Sequence, residues 1–250
     1  AGRGGVRPNA QGSLRDARPD RDRHQVRHRE KGDPDKDDPH RYDLSKEHIT
    51  RSCDASLKRM GVDCIDLYQL HRPDYLMEQD EIAAAFESLR QAGKVREFGV
   101  SNFSVDQLDH LQAACPMKLH CNQVEISLIH FDALEDGSLD YYQRHNITPL
   151  AWSPLAQGKL GSEYPVSLRN PNHTQEQTIR DALHLVAKEE ECSRTVVALA
   201  WLLRHPAGIV PIIGSTNPEH IRDAARAVDL DLSREEWYRL MTAAVGQPLP

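Results

Sequence analysis

Apolar residues fall into two kinds of stretch along most of this chain. Short continuous runs predict buried strands, and they occupy residues 64–71, 95–100, 121–127, 148–155 and 209–214. Between the runs, apolar residues recur every three or four positions, which is typical of helices with one buried face. These segments cover residues 46–60, 82–93, 105–111, 139–145, 179–186, 196–203, 221–228 and 237–244. Strands that alternate with helices in this way predict parallel β/α units.

Polar residues stand where each predicted strand ends. They are His71, Ser101 with Asn102, Gln123 to Glu125, Ser153, and Ser215. In a β/α barrel the carboxyl ends of the strands surround one mouth, where chemistry takes place. The pattern therefore predicts polar clusters around one cavity, in a barrel for which only five of the eight strands can be recognised.

The first 41 residues differ from the rest of the chain. They hold nine Arg and two Lys against eight acidic residues, and their only large apolar residues are Val6, Leu14 and Val26. Such a segment buries too little surface to offset its ordering entropy, so residues 1–41 are expected to be disordered. A basic nucleic-acid arm is the alternative to a solvated tail, but the interspersed acids nearly cancel its charge. Residues 42–250 then form the folded domain.

Composition narrows the functional classes. The 250 residues suit one domain, and the formal net charge of −7 argues against a nucleic-acid partner. No stretch approaches the ~20 apolar residues of a membrane span, and no apolar leader opens the sequence. Five scattered cysteines without a CxxC pair indicate reduced thiols, no zinc site and a cytoplasmic location.

Single residues leave alternatives open. His71 can be a hydrogen-bonded structural group or a catalyst. Ser153 with His71 would suit a hydrolase, but the chain has no GxSxG motif. It has no GxGxxG and no P-loop motif either.

Two further positions are candidates for binding. Ser215 and Thr216 stand where a strand ends and a helix begins, which suits an anion site or an ordinary N-cap. Trp152 can be a core residue or offer a flat face to a planar ring.

Five stretches in order resemble the aldo/keto reductase family. They are Leu70-His71-Arg72-Pro73-Asp74, residues 93–103 (GKVREFGVSNF), Asn122 to Ser127, Ala151-Trp152-Ser153-Pro154-Leu155, and Pro211 to Ser215. The resemblance covers residues 42–250. It implies a (β/α)8 TIM barrel, here incomplete because only strands equivalent to the fourth to eighth are recognised.

The resemblance also implies an activity and a site. Family members bind NADP(H) and reduce carbonyls to alcohols, with a Tyr that donates the proton and a Lys, an Asp and a His beside it. His71 matches the catalytic His. The residues that match cofactor contacts are Ser101, Asn102 and Gln123 at the carboxamide, Trp152 at the ring, Ser153, Leu155, Gly158, Lys159, Leu160 and Gly161 in or beyond the diphosphate loop, and Ser215, Thr216 and His220 near the 2′-phosphate.

Departures from the family pattern affect the cofactor. His220 stands where the family has Arg, and Asp223-Ala224 replaces its Glu-Asn pair at the adenine. A neutral imidazole is a weaker phosphate partner than a guanidinium. NADP(H) is therefore expected, with NAD(H) not excluded.

The family's Asp, Tyr and Lys have no counterpart in this chain, and a shifted reading frame offers an explanation. Read one nucleotide later, the codons of residues 20–29 permit Ile-Glu-Ile-Val-Thr-Lys-Cys-Gly-Ile, which resembles the family's third strand. The Lys codon would straddle Gln25 and Val26. The same shift over residues 3–12 permits part of the family's preceding helix. Residues 1 to about 35 are therefore interpreted as out of frame, the alternative being a genuine tail.

Two functions follow. The first is an NADP(H)-dependent reductase of a small carbonyl compound, whose activity in this chain is in doubt. The second is a catalytically dead pseudoenzyme that serves as a cofactor-sensing or interaction subunit. The sequence leaves the substrate and the oligomeric state unspecified.

Overall fold

The structure is a computed structural model, and it describes residues 25–26, 29–31, 35–37, 39–164 and 174–248. Most of the segment that was predicted to be disordered or out of frame lies outside these residues. That interpretation of residues 1–41 therefore stays a prediction.

The described residues form one parallel sheet of six strands. In chain order these are β1 (Gln25–Val26), β2 (Ile65–Leu70), β3 (Val95–Ser101), β4 (Leu119–Glu125), β5 (Thr148–Trp152) and β6 (Val210–Pro211). Each strand pairs with the strand before it, so the spatial order equals the chain order. The five expected strands are all present. β1 was not among them, and it pairs with β2 by placing Gln25 opposite Gln69.

Eight α-helices lie between or after the described strands. They are α1 (Lys46–Met60), α2 (Gln79–Gln91), α3 (Val105–Ala114), α4 (Ser138–His145), α5 (Gln175–Glu189), α6 (Arg194–Leu203), α7 (Pro218–Ala225) and α8 (Arg234–Val245). Short 3-10 helices occupy Asp132–Leu134 and Arg226–Asp229.

Serine side chains begin several helices. Ser45 caps α1 by accepting a hydrogen bond from the backbone of His48, as its position before the apolar stripe predicts. Ser104 and Ser233 form capping boxes at α3 and α8.

Close packing joins the central strands to the helices. Phe86 of α2 stacks on Phe98 of β3 with ring centroids 4.1 Å apart. Beside it, a Cβ at Gly99 would lie 2.3 Å from the Sγ of Cys121. Only glycine fits there, because β3 and the Cys121 side chain of β4 approach so closely.

An ion pair fixes the residues before α1. Arg29 is buried and its guanidinium contacts the Asp43 carboxylate. Arg29 also pairs with Arg41 through an antiparallel backbone bridge. This contact holds the beginning of the described chain against the start of α1.

The sheet ends at β6. Val210 and Ile212 are exposed there, and among the described strands β6 pairs with β5 alone. No helix in the described part of the chain is long and apolar enough to cross a membrane.

Candidate active site

One cavity of about 1010 Å³ opens at the carboxyl ends of the strands. Eleven of the predicted site residues line it: His71, Ser101, Asn102, Gln123, Trp152, Ser153, Leu155, Gly158, Gly161, Ser215 and His220. The topology explains this, since parallel strands direct their carboxyl ends to one side of the sheet. The structure thus brings these strand-end side chains to one cavity, and their roles as site residues stay a prediction.

Some predicted residues stand apart from the cavity wall, and others were missed. Thr216, Lys159 and Leu160 are not among its lining residues, whereas Gly161 is. Sequence reasoning overlooked Arg72, Gln157, Ser162, Glu163 and Thr195, which do line it. Thr195 follows the Ser193 cap of α6, and a polar residue at a helix start is the signal that could have indicated it.

Asn102 connects three parts of the site. Its Nδ2 donates to the backbone carbonyl of His71 at 3.3 Å and to Ser101 Oγ at 2.9 Å. Its Oδ1 accepts a hydrogen bond of 2.9 Å from Trp152 Nε1. The backbone of Asn102 has φ of 59°, a left-handed conformation that Asn tolerates better than most residues. The amide is therefore held between the ends of β2, β3 and β5.

Ser101 and Gln123 lie on the same wall. Ser101 Oγ donates to the backbone carbonyl of Gln123 at 2.9 Å, and the backbone N–H of Asn102 donates to the same carbonyl at 2.9 Å. Ser101 is buried, so this pairing removes its hydroxyl from solvent without leaving it unsatisfied.

A tight loop follows β5. Ser153, Ala156 and Gln157 have φ of 49°, 47° and 58°, and Gly158 has φ of 91°. The first of these ends the strand at Trp152, earlier than the run to residue 155 predicted. Non-glycine residues in this conformation carry strain, which often accompanies ligand sites.

His220 connects two polar side chains at the start of α7. Its Nδ1 lies 3.2 Å from Ser215 Oγ, and its Nε2 lies 2.8 Å from Glu163 Oε1. Asn217 caps the helix by accepting from the Glu219 backbone at 2.9 Å. The N-cap of this helix is therefore Asn217 and not Ser215 or Thr216, while Ser215 and His220 line the cavity.

The segment that carries Glu163 is held from behind by α6. Arg194 donates through Nη2 to the carbonyls of Ser162 and Tyr164. Burial, aided by the charge of Arg180, lowers the pKa of Arg194. The Ser162 backbone donates to Thr195 Oγ1 at 3.2 Å. These bonds fix the part of the cavity wall that Ser162 and Glu163 form.

The side chains present suit hydrogen bonding, ring stacking and proton donation by an imidazole. The part of the chain that is described contains no group of three or more His, Cys, Asp or Glu side chains able to hold a metal ion. The described lining residues also include no Tyr and no Lys.

The family model for the aldo/keto reductase family matches residues 2–244. The chain belongs to the aldo/keto reductase family. This confirms the resemblance that the five motifs indicated.

Curated proteins of similar sequence extend the comparison. A 6-dehydroglucose reductase of Novosphingobium aromaticivorans is 42% identical over 84% of this chain and 66% of its own length. Oxidoreductase YdhF of Escherichia coli is 42% identical over 84% of this chain and 67% of its own. The chain thus spans about two thirds of the length of the curated relatives it matches.

Solved structures show the same fold. A thermostable aldo-keto reductase, Tm1743, solved with the inhibitor epalrestat, is 28% identical with a TM-score of 0.70, over 80% of this chain and 67% of that one. The glycerol dehydrogenase AKR11B4 of Gluconobacter oxydans is 26% identical with a TM-score of 0.72, over 84% and 68%. The described sheet is accordingly the larger part of a TIM barrel.

Proposed function

We propose that the cavity binds a nicotinamide dinucleotide and serves the reduction of a small carbonyl compound to an alcohol. The observation that carries this proposal is the position of Asn102, whose amide joins the His71 strand end to the Trp152 indole. An amide side chain, a flat aromatic ring and an imidazole thus line one cavity, as the binding and reduction chemistry would need.

The cavity fits a ligand of dinucleotide size. Its volume of about 1010 Å³ lies at the upper end of the usual range for small-molecule sites. Ser101, Asn102 and Gln123 would hold the carboxamide, Trp152 the ring, and the loop from Ser153 to Gly158 the diphosphate. Ser215 and His220 would lie at the adenosine end. The family resemblance favours NADP(H) and leaves NAD(H) open.

When bound, the dinucleotide would supply a hydride to the carbonyl carbon, and the His71 imidazole would supply the proton that the carbonyl oxygen takes up. His71 would orient the substrate by donating a hydrogen bond to its carbonyl oxygen, as an imidazole can do near neutral pH. The Trp152 ring and the loop after it would keep water from the reacting end. His71 is thus the proposed catalytic residue of this chain.

A second candidate function is a dinucleotide-binding protein without turnover. The described lining residues offer no tyrosine hydroxyl to donate a proton and no lysine to lower the pKa of one. This favours a cofactor-sensing or interaction subunit, the alternative that the missing family motifs suggest.

One experiment separates the two candidates. NADPH and NADH are titrated into the chain while tryptophan fluorescence is followed, with Trp152→Phe identifying the responding indole. A reactive aldehyde is then added and loss of reduced nicotinamide is recorded. The name shared by two relatives, 6-dehydroglucose reductase, makes 6-dehydroglucose the first natural substrate to test. Turnover that His71→Ala abolishes supports the reductase, whereas binding without turnover supports the silent subunit. His130→Ala, outside the cavity lining, is the matched control.

The proposal extends to the reading frame of the first residues and to the cellular compartment of the protein. Residues 1 to about 35 are proposed to be out of frame, and Gln25–Val26 lies beside β2, where a barrel would place its third strand. Sequencing the coding DNA tests this, because the bases either permit Thr-Lys-Cys-Gly in the shifted frame or forbid it. All five thiols are free in the structure, which supports a cytoplasmic location.

A further inference from the structure

Two carboxylates and one imidazole line the end of the cavity beside α7. Glu163 and Asp223 supply the carboxylates and His220 the imidazole. Arg72 is the only Lys or Arg among the described lining residues, and it follows β2, three strands away from β5 and four from β6 in the sheet. This end of the cavity therefore carries more negative than positive charge.

Two neighbouring arginines, Arg226 and Arg194, do not line the cavity. Arg226 lies 3.4 Å from the Oδ1 of Asp223 but does not line the cavity. Arg194 is buried behind the segment and donates to backbone carbonyls. Asp223 Oδ2 accepts from Ser193 Oγ, which fixes the carboxylate in place. Neither arginine is placed to receive a ligand phosphate at the cavity wall.

The imidazole is already engaged on both sides. Glu163 lies at Nε2 and Ser215 at Nδ1, at 2.8 Å and 3.2 Å. A phosphate that bound His220 would have to displace the Glu163 carboxylate or lie beside it. The Glu163 side chain is 80% exposed, so solvent reduces the repulsion between its carboxylate and a bound phosphate, but the repulsion still disfavours the phosphate. A ribose diol, by contrast, donates hydrogen bonds that a carboxylate accepts.

We propose that Glu163 selects an adenosine ribose without a 2′-phosphate, so that the chain binds NAD(H) in preference to NADP(H). Glu163 is the specificity-determining residue, because its carboxylate already contacts the His220 imidazole that would otherwise bind the phosphate. The inference rests on the proposed dinucleotide site and departs from the family expectation for the cofactor.

Two nucleotides that differ only in the 2′-phosphate test it. 5′-AMP and 2′,5′-ADP are titrated by calorimetry into the 250-residue chain, and 5′-AMP is expected to bind about tenfold more tightly. Glu163→Gln should weaken 5′-AMP slightly and strengthen 2′,5′-ADP by about tenfold, because it removes the repelling charge and frees the imidazole. Glu219→Gln, an exposed carboxylate of α7 outside the cavity lining, is the control and should change neither affinity. Thermal unfolding of each variant confirms that it is folded.

The outcomes separate this inference from the proposed function. Tighter binding of 2′,5′-ADP by the unaltered chain, or a preference that Glu163→Gln leaves unchanged, would overturn the inference. The absence of binding by either nucleotide would overturn it together with the dinucleotide site. A preference for 5′-AMP without aldehyde reduction would support the inference and remove only the carbonyl chemistry.

Discussion

The indole of Trp152 donates a hydrogen bond of 2.9 Å to the side-chain oxygen of Asn102, and the same amide donates to the carbonyl of His71. The two residues come from strand ends 50 positions apart in the sequence. Asn102 is thereby fixed in one orientation, with its nitrogen and oxygen assigned by their partners.

Replacing Asn102 separates its side-chain bonds from its backbone conformation. Asn102→Gly accepts the φ of 59° but removes the amide, so dinucleotide affinity should fall by about tenfold. Asn102→Ala should lose the same affinity and a further ~1 kcal/mol of stability from left-handed strain. Fluorescence titration and denaturant unfolding give the two quantities. Equal stability of both variants would show that the conformation carries no strain.

Strain in the loop after β5 predicts an unusual glycine effect. Gln157→Gly relieves a φ of 58° at an exposed position and should raise stability by up to about 1 kcal/mol, although the unfolded chain gains freedom. Ala84→Gly, inside α2, is the control and should lower stability by about 1 kcal/mol. Urea unfolding of both variants measures the contrast. A loss of stability at both positions would contradict the prediction.

The Asp43 carboxylate makes the free energy of unfolding depend on pH in the acidic range. Burial raises its pKa, but hydrogen bonds from Ser45 and Arg29 outweigh burial and lower the pKa to about 2. A folded pKa below the unfolded value of about 4 means that the stabilisation is present above pH 4 and disappears as the pH falls through 2.

Asp43→Asn should therefore cost about 1–2 kcal/mol at neutral pH, after allowance for solvent screening, and progressively less toward pH 2. Unfolding of both proteins across this pH range tests the expectation. Arg29→Met combined with Asp43→Asn is the control, because it leaves no buried guanidinium without a partner. A pH-independent difference would show that the carboxylate charge does not contribute.

The approach of β3 to β4 predicts a rescue. Gly99→Ala brings a methyl group within 2.3 Å of Cys121 Sγ, so it should destabilise the chain by about 1–3 kcal/mol. Cys121→Ala removes that sulfur. In the Cys121→Ala background, Gly99→Ala should lower the free energy of unfolding by less than half as much. A double-mutant cycle measured by denaturant unfolding gives the coupling. Additive losses would mean that the backbone of Cys121, rather than its sulfur, sets the limit.

Periodicity predicted the repeating part of the fold because each unit buries its own apolar face. The run over residues 64–71 and the stripe from Lys46 to Met60 need no distant information; the helix matches the structure, and the strand is one residue shorter at each end, Ile65–Leu70. Boundaries were less predictable. The run after Thr148 looked continuous through Leu155, but Ser153 turns into a left-handed conformation that apolar character does not reveal.

The site was predictable to a similar extent. His71, Asn102 and Trp152 were recognisable because they end strands, and the topology brings strand ends together. Glu163 was not, since it lies beyond a loop and its significance comes from the position of His220, 57 residues later. Arg29 was hidden for another reason: its neighbours are polar, so only the contact with Asp43 shows that it is buried.

The order of the sheet has a consequence for synthesis. Every strand from β2 to β6 pairs with the strand that left the ribosome just before it. Among the described elements, each pairing closes a loop that contains one α-helix, except the last, which spans α5 and α6. Short loops cost little entropy, so strands β2 to β5 can assemble while translation continues. The last of the described strands to join the sheet is β6, which is two residues long and follows the longest connection. A chain released before residue 210 would therefore leave β5 as an unpaired edge strand.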